Sequence, residues 1–240
     1  HGEPIFANKQ FWSNLFSAFD ITRVAFLFLM ILAFFIAPVF TREIEVDMNS
    51  IILCSLNGRG EIVTAKLLSV CSTAAILTAV YFAGNFIGAF IANGNIVGFD
   101  APARSMEAFG QTAINATVGG LAFLGILWTM FAAMVFGLAV CLISAYAKSQ
   151  TSVFGFSIAF ILTFLMMGFL PENIYAKIWP LIDFNFVALS LYSIIFGGSK
   201  MYNFLGMPLS YGMVAFIVCM VLSLIAVLLT YLAQRKRSVV

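Results

Sequence analysis

Five stretches of this chain are long, apolar and uncharged, and nothing else in the sequence constrains the fold as strongly. A helix needs about 20 predominantly apolar residues to cross the hydrocarbon of a bilayer. Residues 24–40, 67–92, 118–147, 152–170 and 211–233 approach or exceed that length, and none contains Asp, Glu, Lys, Arg or His. The first is the shortest and extends back through Ile21, giving a span of about 21–40. Composition excludes the soluble alternative. The 240 residues are 62% hydrophobic and 9% charged, against about 45–50% and 25% for soluble domains. The expectation is an all-α integral membrane protein with five transmembrane helices, forming one transmembrane domain over 1–240. A net charge of +2 is too small and dispersed for nucleic-acid binding.

A sixth apolar stretch, 174–198, is interrupted by Lys177, Pro180 and Asp183. Charge at bilayer depth is expensive, and the clean part is too short to span. The pattern predicts a re-entrant or interfacial pair of helices. Five crossings place the chain ends on opposite sides. Seven of the twelve basic residues (Arg42, Arg59, Lys66, Lys148, Arg235, Lys236 and Arg237) fall in the short segments of one side. Basic residues near span ends favour the cytoplasm, which predicts an external N-terminus and a cytoplasmic C-terminus.

On the external side, Phe11, Trp12, Leu15, Phe16 and Phe19 recur at helical spacing, which predicts an amphipathic helix lying on the membrane surface. Residues 93–117, rich in Gly and polar residues, read as an external loop. Asn115-Ala116-Thr117 matches a glycosylation sequon, a match that short sequences make by chance. The four cysteines form no framework and read as free packing residues.

The connection 41–66 takes 26 residues, where a hairpin between two spans needs only a handful. Thr41 is placed to cap a helix whose first turns carry Glu43, Glu45 and Asp47. Ile44, Met48, Ile51, Ile52 and Leu56 form one apolar stripe, and Asn57-Gly58 ends it. A new helix is expected from about Glu61 into the second span. Acids outnumber bases here, which suits a protein partner better than anionic lipid.

The run Phe40-Thr41-Arg42-Glu43, then Ile52-Leu53-Cys54-Ser55, Asn57-Gly58-Arg59 and Ile62-Val63-Thr64-Ala65-Lys66 resembles ABC-2 type permeases, the membrane-spanning subunits of ABC transporters. The resemblance implies that 43–56 is a coupling helix docking into a separate ATPase subunit. Glu43, Glu45, Asp47, Leu53, Ser55, Arg59 and Lys66 are then candidate contacts. It also implies that 174–198 is the family's re-entrant pair, and that a family first span lies before His1. ATP and Mg would be held by the partner ATPase, and a second permease copy or homologue would complete the path.

The chain itself has no Gly-x-x-x-x-Gly-Lys-Ser/Thr loop. His1 is its one histidine, so neither a nucleophile–base pair nor a metal-ligand cluster is visible. No catalytic residue, bound cofactor or metal is expected. Inside the spans, Asn85 either lines a translocation path or hydrogen-bonds between helices. Gly84 and Gly88 let helices approach closely, within the bundle rather than at a dimer seam as the favoured reading. Thr73, Thr78, Thr129, Ser144 and Thr163 are expected to bond to their own helix backbones.

The leading expectation is the transmembrane subunit of an ATP-driven exporter in a bacterial plasma membrane, moving an amphipathic or hydrophobic peptide, antibiotic or lipid. A secondary carrier or channel working without ATP, or a non-transporting membrane anchor, are the alternatives.

Overall fold

The computed structural model describes residues 8–17, 26–46, 48, 60–112, 114–167, 170–204 and 206–236. Helices α1 (Lys9–Ser17), α2 (Phe26–Ile36), α3 (Pro38–Glu45) and α4 (Glu61–Asn93) come first. They are followed by α5 (Val118–Tyr146), α6 (Gln150–Met167), and the short helices α7 (Glu172–Asp183), α8 (Phe186–Ser190) and α9 (Tyr192–Gly197). Strands β1 (Met201–Phe204) and β2 (Met207–Ser210) then precede α10 (Tyr211–Lys236).

Five helices are long and apolar enough to cross a membrane: Phe26–Glu45 (α2 with α3), α4, α5, α6 and α10. Helix α5 is central. In its most apolar window 56% of residues are buried, against 17% in both α6 and α10. Its Gly137 explains how neighbours come so close. A Cβ there would lie 2.9 Å from Ile36 Cδ1 and 3.2 Å from Val70 Cγ1, so the missing side chain admits α2 and α4 to the same level of α5.

The first span is broken at Ala37–Pro38. Pro38 has no N–H to continue the helical ladder, and Ser144 of α5 repairs the break from outside. Its Oγ donates to Ala37 O at 2.8 Å and accepts from Phe40 N at 3.1 Å. The expectation that Ser144 bonds to its own helix is therefore corrected: a proline-broken neighbour offers it backbone groups that its own helix has already paired. Thr78, Thr129 and Thr163 do bond four residues back, to Ala74 O, Gly125 O and Ala159 O.

Thr41 does not cap a helix start. It lies buried inside α3 and donates to Ala37 O. The chain stays helical from the proline to Glu45, ending at Val46, so Glu43 and Glu45 occupy the last turn of a helix rather than the first. Asp47 and 49–56, the rest of the expected coupling helix, lie outside the described residues. The second span does begin at Glu61, and closes on Gly94 at φ 72°, whose N–H bonds to Phe90 O.

The end of the bundle opposite Glu43 is closed by an aromatic cap. Helix α1 buries Phe11, Trp12, Leu15 and Phe16 against protein. The Trp12 ring packs edge-on to Phe99, and its Nε1 donates to Val97 O at 3.0 Å. Phe11 meets Phe86 of α4, and Phe16 meets Phe109. Sequence periodicity shows that one face of a helix needs covering, not what covers it. Here α4 and the 94–117 connection do so. The described residues of that connection pack into the bundle: Ala101, Ala103, Met106 and Phe109 are buried, and Thr112 Oγ1 donates to Phe196 O at 2.6 Å. Thr117, the third residue of the sequon, caps α5 by accepting from Gly120 N.

Between α6 and α10 the chain descends along α5 and returns. Phe186 packs on Phe136 of α5 and Phe160 of α6, with ring centroids 6.2 and 5.7 Å apart, while Trp128 Nε1 donates to Leu189 O at 2.8 Å. Phe136 is about 27 Å along α5 from Val118 at 1.5 Å per residue. The expected helix pair over 174–198 is resolved as three short helices, with α7 kinked at Ile178 and containing Pro180. A two-stranded antiparallel hairpin, β1–β2, follows it, so the regular structure of the described residues is helical apart from this one small sheet and an isolated bridge between Pro102 and Thr117. The all-α expectation lacked that hairpin.

Candidate functional site

At the basic end of the bundle, three polar contacts join four helices in series. Helix α3 meets α4 where Glu43 Oε2 lies 2.5 Å from Lys66 Nζ. Both side chains are mostly covered, at 26% and 14% exposure, so the pair is shielded better than a typical surface salt bridge. The Lys66 ammonium also sits 4.2 Å from the centre of the Phe40 ring, a favourable cation–π position. Helix α3 meets α6 through Glu45, whose Oε1 accepts from Gln150 N at 2.8 Å. Gln150 opens α6, where unpaired N–H groups and the positive end of the helix dipole favour an acid. Helix α4 meets α10 through the Thr64 and Tyr231 hydroxyls, 2.6 Å apart.

This arrangement explains why acids stand in the last turn of α3, a position the helix dipole disfavours. Each acid is matched from a different neighbour, one by an ammonium and one by a helix N-terminus. Contiguity in sequence hid this, because the partners lie 23 and 105 positions away.

Of the residues singled out as ATPase contacts, Glu43, Glu45 and Lys66 are brought together here and bind one another's helices. Asp47, Leu53, Ser55 and Arg59 lie outside the described residues. Gln150, Thr64, Tyr231 and Ser144 were not singled out as site residues. A usable signal existed only for Ser144, since a proline inside an apolar span requires a polar group on a neighbour.

Asn85 stands apart from this end. Its Nδ2 donates to Tyr81 O at 2.8 Å, four residues back in the same helix, and among the described residues it forms no interhelical bond of the kind expected. Gly84 and Gly88 are exposed, and a Cβ at either would meet nothing within 4 Å. The expected packing of this pair within the bundle is corrected: among the described residues, nothing lies against them.

No family model, curated protein or solved structure matches the chain. The site is therefore read on its chemistry alone. Among the described residues no three of His, Cys, Asp or Glu come together to hold a metal ion, and Cys71, Cys141 and Cys219 are free. What the basic end offers is a set of short polar ties between the ends of neighbouring helices.

Proposed function

We propose that the chain is an integral membrane protein, the transmembrane subunit of an ATP-driven exporter of the ABC-2 permease type. A separate ATPase would act on the cytoplasmic connection between α3 and α4. The observation that carries this reading is the series of ties α6–α3–α4–α10 through Gln150–Glu45, Glu43–Lys66 and Thr64–Tyr231. The 46–60 connection is flanked on both sides by residues of that series. A load on it reaches α3 and α4 covalently, and α6 and α10 through the outer two ties. The sequence pattern around Phe40–Glu43 and Ile62–Lys66 supports the same reading, as does the lack of charged residues in the apolar cores of the five spans, where ion-driven carriers commonly place their coupling groups. The cytoplasmic side is the basic end in this reading. The path would form with a second permease copy, and the descending segment α7–α9 would be its re-entrant element. ATP and Mg would reside on the partner.

The test is photo-crosslinking from Leu53 in the native membrane, followed by mass spectrometry. The reading predicts a crosslinked subunit carrying a Gly-x-x-x-x-Gly-Lys-Ser/Thr loop. Full expression of the chain without capture of any such subunit would remove the coupling role of the connection.

A further inference from the structure

At the end of the bundle opposite the Glu43–Lys66 pair, two cavities share a wall. One, of about 320 Å³, is lined by Trp179, Asp183, Lys200, Met201 and Tyr202. The other, of about 530 Å³, runs along the start of α10 past Met213, Phe216 and Ile217, and is walled by Ile195 and Phe196 of α9. Lys200 and Met201 line both. The smaller cavity is polar and aromatic, whereas the larger is a greasy groove.

The smaller cavity is a built site. Tyr202 donates its hydroxyl to Asp183 Oδ2 at 2.7 Å, and Tyr211 donates to Asp183 O. Tyr211 N bonds to Lys200 O at 3.1 Å, fixing the hairpin on the head of α10. Trp179 stacks on Tyr202 with centroids 5.3 Å apart and planes 17° from parallel. The Asp183 side chain is only 13% exposed, while Lys200, 3.7 Å from it, remains 54% exposed. A carboxylate, an ammonium and an aromatic face thus share one small cavity with no net charge.

Depth then selects the occupant. Helix α10 carries no charged residue between Tyr211 and Arg235, a rise of about 36 Å at 1.5 Å per residue. The hydrocarbon of a bilayer is about 30 Å thick. With Arg235 at one boundary, Lys200 and Asp183 lie at the level of the opposite headgroups, where Trp and Tyr are favoured. The groove runs from there towards the midplane.

We propose that this paired cavity binds one zwitterionic phospholipid, its headgroup between Lys200 and Asp183 and an acyl chain along Met213, Phe216 and Ile217. The phosphate meets the Lys200 ammonium as a charge-assisted contact. The primary ammonium of an ethanolamine headgroup meets the Asp183 carboxylate and the face of Trp179. The exposed thioethers of Met201 and Met213 adapt to an irregular chain. An anionic headgroup without the ammonium leaves Asp183 facing its phosphate. This site stands whether or not an ATPase drives the protein.

Native mass spectrometry of the purified full-length chain, after exposure to equimolar phosphatidylethanolamine, phosphatidylcholine and phosphatidylglycerol in mild detergent, tests the proposal. One ethanolamine lipid is retained per chain, about tenfold over the glycerol lipid, and the choline lipid, which has no ammonium proton to donate, ranks between them. Asp183→Asn abolishes that preference, whereas Lys200→Gln and Met213→Trp each lower retention of all three lipids. Equal retention of the three lipids by the wild-type chain, a preference for the glycerol lipid, or a preference unchanged in Asp183→Asn would overturn it.

Discussion

The two ends of the bundle are held by opposite means. The cap end is a mosaic of rings, in which Trp12, Phe16, Phe99 and Phe109 interlock and the polar groups mainly satisfy backbone. The basic end has a few side-chain contacts between helix termini, made by Glu43, Glu45, Lys66, Thr64 and Tyr231. Apolar packing is spread over many atoms, so no single one governs it. A polar tie is localised, directional and removable by one substitution. The difference teaches where this fold resists change and where it can transmit it.

The largest effect is expected where the ring mosaic is opened. Trp12→Ala removes a side chain that is 1% exposed together with its bond to Val97 O, and should cost about 3–5 kcal/mol, read as loss of thermal stability and new proteolysis near α1. A loss below about 1 kcal/mol would mean that the cap is not held by its rings. Lys66→Met should cost about 1–3 kcal/mol, because it leaves Glu43 mostly covered and without its ammonium. The exchanged pair Glu43→Lys with Lys66→Glu should recover part of that loss, and failure to recover any would show that the ion pair contributes only through packing. Ser144→Ala should cost about 1–2 kcal/mol by leaving Phe40 N–H unpaired in a buried position. Amide exchange at Phe40 should rise while that of the α5 core stays slow. The smallest effect is expected for Tyr231→Phe, about 0.5–1 kcal/mol, and a larger one would mark the Thr64–Tyr231 contact as more than a single hydrogen bond.

These same contrasts explain what the sequence disclosed. The long apolar runs at 67–92, 118–147 and 211–233 contain their information locally, and each forms one uninterrupted helix. The N-terminal helix was legible as amphipathic from Phe11, Trp12, Leu15 and Phe16, but its cover came from Phe86, Val97 and Phe99, far along the chain. The hairpin was masked by its short strands. Its clearest mark is Gly206 at φ 87° in a two-residue connection, a turn that favours glycine. The candidate site was only half legible. Glu43 and Lys66 stood out as charges flanking a connection, yet their pairing, and that of Glu45 with the start of α6, depends on how three helix ends meet. Charge reversal at Glu43 or Glu45 therefore disturbs the bundle as well as any partner surface.

The central claim is that ties at the basic end carry load from the 46–60 connection to the helices beyond α3 and α4. Spin labels at Lys148 and Arg235, in the full-length protein reconstituted with the ATPase proposed above, report that load as a distance between the α5–α6 link and the end of α10. The account predicts that the distance shifts between nucleotide-free and ATP-bound states, and that Tyr231→Phe, which removes the tie to α10, reduces the shift while the complex stays assembled. A distance unaffected by ATP, or a shift that survives Tyr231→Phe unchanged, would contradict it.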